Sequence, residues 1–211
     1  MDEVLRRAEE RTSRAFEVIE ELDLLGRWSH CGRPVLVGSV TCGLVVNRDI
    51  DLNIYCAEPE ITRGFEVISD IAAVPGVLKI RYSNCLGSID QGLYWQIHYR
   101  DRVGDTWRVD NWLVSEEHPH AGLPEALTAR MQNALTTEQR KSILQIKETV
   151  QAELQARGID IYQAVIGDGV RSPREFAVWM QDRKHCEISQ WLPPEQSQLH
   201  RQAANLTKAD H

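Results

Sequence analysis

The chain has 211 residues, 42% of them hydrophobic and 26% charged, which is material for one ordinary core with a helical appendage and excludes a disulfide miniprotein, a disordered tail and a fibrous repeat. Its 24 basic and 31 acidic residues give a net charge of −7, so a grip on duplex nucleic acid is not expected, while a small anionic ligand stays open wherever a metal ion inverts the local sign. No apolar run reaches the ~18–20 residues of a membrane span and the start Met1-Asp2-Glu3-Val4-Leu5-Arg6-Arg7 lacks signal-peptide order, so no membrane contact and a cytoplasmic location are expected.

In chain order, Val4, Leu5, Ala8, Ala15, Ile19 and Leu22 form one apolar stripe and predict a helix over 3–25, stopped by Gly26. Pro34-Val35-Leu36-Val37-Gly38 reads as a short buried strand that turns sharply at Gly-Ser into a short helix over 39–46. From Asp49 to Cys56 acids and apolar residues alternate, the mark of a strand with one core face. Pro59 opens a crossover helix that ends at Pro75-Gly76. Three more strands follow, Val77–Ser83, Leu93–Arg100 and Thr106–Val114, the last two joined by a hairpin containing Gly104.

Everything after Pro119 reads as helical: Leu123–Asn133, then a helix restarted by the Thr136–Gln139 capping box and stopped at Gly158, then Asp160–Ile166, then one opened by Ser172-Pro173-Arg174-Glu175. The expected fold is α/β (α+β), a mixed sheet flanked by helices and followed by a C-terminal all-helical region. Its parts are 1–118, 119–192 and a polar, loose tail over 193–211. Five cysteines, Cys31, Cys42, Cys56, Cys85 and Cys186, form no CxxC and sit mostly beside apolar residues, which reads as buried free thiols. His30, His98, His118 and His120 lack a second ligand pair at zinc spacing and fit loop or strand surfaces.

Chemistry concentrates between Gly38 and Asp51. Asp49 and Asp51, spaced i, i+2 on a strand, project to one face and can share hard divalent cations. Asp110, inside the strand-like run Trp107-Arg108-Val109-Asp110-Asn111-Trp112, is a third acid that needs a cation if buried. Gly38 lets backbone approach a phosphate, and the Ser39 hydroxyl with the following N–H groups can bind its oxygens. Thr41 and Arg48 are near enough in sequence to add a hydroxyl and a cation. Three acids around Mg²⁺ or Mn²⁺ suit phosphoryl or nucleotidyl transfer.

The pattern Gly38-Ser39, nine residues, Asp49-Ile50-Asp51-Leu52 and a later strand-borne Asp110 resembles the polymerase-beta-like nucleotidyltransferase superfamily over roughly residues 30–115, with small-molecule, antibiotic-modifying types nearest. The resemblance implies that Gly38 and Ser39 hold an NTP, that Asp49 and Asp51 bind the metal, and that Asp110 assists them or accepts a proton. It implies an enzyme that moves a nucleoside monophosphate from NTP to a hydroxyl of a small acceptor, cationic or antibiotic-like, with release of pyrophosphate. A protein-modifying, toxin-like nucleotidyltransferase and a silent module that only binds are the competing readings. The nucleobase, acceptor and oligomeric state carry no sequence signature. Trp95, Trp107 and Trp112 can stack a ring or fill a core, with the core favoured, and Lys79 and Arg81 are expected to face water.

Overall fold

The computed structural model describes residues 2–150, 153–181 and 190–194. Cys186 and the expected polar tail beyond residue 194 lie outside them. Two compact units divide the chain, one formed by Arg6–Glu125 and the other by the residues that precede and follow it. Among the described residues no helix is long and apolar enough to cross a membrane.

In the Arg6–Glu125 unit, period-two alternation builds a five-stranded mixed sheet: β1 (Arg33–Val37), β2 (Asp49–Cys56), β3 (Val77–Asn84), β4 (Gly92–Arg100) and β5 (Thr106–Ser115). The order is β1-β2-β5-β4-β3, with β2 and β5 parallel and every other pair antiparallel. The helix α4 (Ile61–Ala72) therefore carries the chain from β2 to the far edge of the sheet, and the β4–β5 hairpin folds back to fill the gap. This return is what sets Asp110 directly beside Asp51.

One face of the sheet presents Ile50, Leu52, Ile54, Leu93, Trp95, Ile97, Val109 and Leu113, all essentially inaccessible to water. They pack with Ala15 and Val18 of α1 (Glu3–Glu21), Leu22 just after it, Trp28 of α2 (Leu24–Trp28), and Val67, Ile68 and Ile71 of α4. Each such aliphatic side chain contributes roughly 1.5–3 kcal/mol relative to exposure. Asn111 is the polar exception on this face. It is fully buried, accepts from Trp28 Nε1 at 2.9 Å and donates to the carbonyls of Trp95 and Val109 at 3.2 Å, which satisfies it.

Helix α4 approaches the sheet at Gly64, where an added Cβ would stand 2.2 Å from Trp95 Cη2. Gly64→Ala gains up to about 1 kcal/mol of helix propensity, but the buried indole cannot give way, and overpacking costs ~1–3 kcal/mol. The expected result is a lower midpoint in thermal or urea unfolding, and a raised midpoint would overturn this packing argument.

Several helices end elsewhere than their patterns predict. The helix expected over 3–25 breaks at Asp23, which adopts a left-handed conformation (φ 46°), and Gly26 lies inside α2, where a Cβ would meet Asp23 Oδ1 at 2.3 Å. Glycine here makes room for a carboxylate and ends nothing. The helix expected over 39–46 is one turn, α3 (Ser39–Cys42), closed by left-handed Gly43. Cys31, Cys42 and Cys56 are buried free thiols and Cys85 is half-buried. Burial pushes the Cys31 thiol up and the Cys56 thiol up to about 11.

After α5 (Leu123–Ala134), α6 (Thr137–Val150) of the second unit opens on the expected capping box. Gln139 N–H donates to Thr136 Oγ1 at 3.2 Å and Thr136 N–H to Gln139 Oε1 at 3.0 Å. Ser172 caps α8 (Pro173–Gln181) in the same way, accepting from Glu175 N–H at 3.3 Å. Between them the stretch expected as one helix over 160–166 is α7 (Gly158–Tyr162) running into a π-helical turn, Gln163–Gly167. Ile143, Ile146, Ile161, Val165 and Phe176 are among the buried apolar positions of this unit.

Candidate active site

The second face of the sheet is polar, and its register places the chemistry. Asp49 pairs with Arg108, Asp51 with Asp110 and Asn53 with Trp112 across the parallel β2–β5 ladder. Across β5–β4, Arg108 pairs with His98, Asp110 with Gln96 and Trp112 with Tyr94. Neighbours in register share a face, so Asp49, Asp51 and Asp110 stand together as half-buried carboxylates. The edge strand β3 adds Lys79 and Arg81 to the same face, both exposed.

Strand β1 delivers the turn. Its last residue, Val37, pairs with Asp51, and Gly38 follows at φ 73°, ψ −152° with its missing Cβ aimed 2.4 Å from Asp51 Oδ2. Only glycine brings backbone this close to that carboxylate. Ser39 then begins α3, half-buried at the same end of the sheet. The Thr41 hydroxyl donates to the Gly38 carbonyl at 2.8 Å, which braces the turn. Arg48 pairs with Asp105 of the β4–β5 hairpin at 2.8 Å, so its guanidinium is held by that carboxylate.

The cation among the acids is Arg108, which the sequence reading did not single out. Its Nη2 lies 3.0 Å from Asp49 Oδ2 and its Nε 3.2 Å from Asp110 Oδ2. Burial works against its charge, but Asp49, Asp110 and Asp51 outweigh that and raise its pKa. The available signal was the alternation itself, since Arg108 shares the strand parity of Asp110. Asp110 Oδ1 further accepts from the Tyr94 hydroxyl at 2.7 Å and Gln96 Nε2 at 3.1 Å, and Gln96 Oε1 meets His98 Nε2 at 3.0 Å. Burial and then Asp110 push the Tyr94 phenol well above its ordinary pKa, so it stays a donor.

The three tryptophans separate by parity. Trp95 and Trp107 are core, whereas Trp112 is half-buried on the carboxylate face and packs against Tyr94 at 4.7 Å. Among the described residues no three His, Cys, Asp or Glu side chains converge closely enough to hold an ion. The donors nevertheless suit a hard divalent cation, being carboxylates in adjacent register on one face, with a guanidinium already drawn among them as a stand-in positive charge.

No family model and no curated protein matches the chain, but solved structures do. Cid1 poly(U) polymerase bound to MgATP aligns with a TM-score of 0.56 at 13% identity, over 75% of this chain and 50% of that one. Cid1 in complex with its short product ApU aligns with a TM-score of 0.54 at 13% identity, over 78% and 53%. The chain thus spans about half the length of the structures it matches. At this identity the likeness is one of fold, and the fold is the nucleotidyltransferase fold, a five-stranded mixed sheet flanked by helices.

Proposed function

We propose that this chain transfers a nucleoside monophosphate from an NTP to a hydroxyl of an acceptor and releases pyrophosphate, with residues 1–118 as the catalytic part. The observation that carries this reading is the register pair Asp51–Asp110, with Asp49 on the same face and the Gly38 turn backed against Asp51. Asp49, Asp51 and Asp110 would hold Mg²⁺ or Mn²⁺, which neutralises phosphate charge and aligns the attacking and leaving oxygens when bound.

The residues of the chain supply the rest. Gly38 and Ser39 receive the phosphates through a close backbone approach and a hydroxyl, with Thr41 holding the turn in shape. Arg48 joins them by exchanging Asp105 for a phosphate oxygen. As the acceptor oxygen bonds the α-phosphorus and the bond to the bridging oxygen breaks, the hydroxyl proton passes to Asp110, whose orientation Tyr94 and Gln96 fix.

The net charge of −7 favours a small, cationic acceptor. A second reading makes the acceptor an RNA 3′ end, and the likeness to Cid1, a poly(U) polymerase whose product complex holds ApU, favours it. Incubation of the purified chain with each labelled NTP and Mg²⁺, beside a panel of cationic small molecules and a short RNA, separates the two by which acceptor carries label. Binding without transfer to any acceptor would leave the silent-module reading. NTP with Mg²⁺ is also expected to stabilise the native state by about 2.7 kcal/mol at a ligand concentration of 100 Kd, and NTP with EDTA by far less. Equal melting shifts with and without metal would remove the metal-dependent reading.

A further inference from the structure

Asp49, Asp51, Asp110 and Arg108 sum to two negative charges on one sheet face, and the only arginine among them holds one oxygen of Asp49 and one of Asp110. Those are oxygens that a divalent cation would need. A guanidinium and a metal ion compete for them, because each lone pair turned to an N–H is turned away from the ion. Arg108 is 44% exposed at its side chain, so its long stem can swing without unpacking the core. Its hydrogen bonds are therefore exchangeable in a way that those of the buried Asn111 are not.

We propose, resting on the nucleotidyl-transfer reading above, that Arg108 is the resident counter-cation of the metal-free site: it keeps Asp49 and Asp110 from repelling, yields both to the metal that arrives with an NTP, and turns its guanidinium to the phosphates. An NTP brings more negative charge than one divalent ion cancels, so the displaced guanidinium finds a better partner than the carboxylates it leaves. The consequence is order: metal alone binds weakly against Arg108, and metal with nucleotide binds well. Arg108 is thus a positioning residue for the acids in the free protein and a phosphate-binding residue in the loaded one.

The test uses Mn²⁺ on the full chain, with free ion followed by electron paramagnetic resonance, for wild type, Arg108→Met and Arg108→Lys. Arg108→Met should tighten Mn²⁺ binding without nucleotide by about fivefold to tenfold, the scale of releasing two partly exposed ion pairs. It should weaken binding of a non-hydrolysable NTP analogue in saturating Mn²⁺, and it should lower the melting temperature in EDTA. Arg108→Lys keeps one charge without the fork and should fall between. If the methionine variant does not fold, the lysine variant alone carries the test through the same two binding shifts.

Unchanged Mn²⁺ affinity in the variants, with wild type binding Mn²⁺, overturns the role of Arg108 and leaves the transfer reading standing. A wild type that holds no Mn²⁺ with or without nucleotide overturns the transfer reading itself. Tighter Mn²⁺ with unaltered nucleotide affinity overturns the move to phosphate and so the proposed order.

Discussion

Gly38→Ala is expected to lower kcat/KM for nucleotidyl transfer by about 100-fold or more while costing the fold ~1–3 kcal/mol. Two effects add at this position. The backbone at φ 73°, ψ −152° lies in a region that residues with a Cβ avoid, and the new methyl would stand 2.4 Å from Asp51 Oδ2. The carboxylate must turn or the turn must rise, and either moves the phosphate cradle relative to the acids. Gly104→Ala is the control: its φ is 93°, so it is strained as well, but a Cβ there meets nothing within 4 Å and the turn that joins β4 to β5 carries none of the three acids. The control should lose stability and keep its Mn²⁺ affinity and turnover. Should Gly38→Ala retain both at temperatures where it is folded, the turn has no part in the site.

The two halves of this site differ in how far they were legible. Asp49 and Asp51 follow from period two within β2, because parity is local and one strand suffices to show it. That Asp110 faces Asp51 is a fact of strand order, set when α4 carries the chain past two strand positions and the hairpin returns, and no local pattern encodes that distance. Arg108 was missed for a related reason. An arginine in a strand reads as a solvated residue until the neighbouring strand is known to bear Asp49. The run Asp110-Asn111-Trp112 misleads by composition, since the amide points into the core, where Trp28 satisfies it, and the indole points out.

Asp101→Asn is expected to destabilise the protein by about 3–5 kcal/mol near neutral pH without touching the site, the usual cost of removing one partner of a buried ion pair. Asp101 is buried at the start of the β4–β5 hairpin and takes Arg14 Nε at 2.8 Å, Trp107 Nε1 at 2.9 Å, and the backbone N–H groups of Val103 and Asp105 at 3.1 and 2.9 Å. Arg14 reaches it from α1 and also pairs with Glu17 and Glu21, so the network ties that helix to the sheet. Burial alone would raise the Asp101 carboxyl, but the hydrogen bonds from Arg14, Trp107 and Asp105 outweigh it and hold it below the usual carboxylate range. A depressed folded-state pKa means stability that is present above the unfolded value of about 3.9 and lost as pH falls through the folded one. Wild type and Asp101→Asn should therefore differ most in urea midpoint near pH 7 and converge as the pH drops below about 4. A gap that stays constant over that range would mean that shape, and not the charge of Asp101, holds the hairpin to the helix.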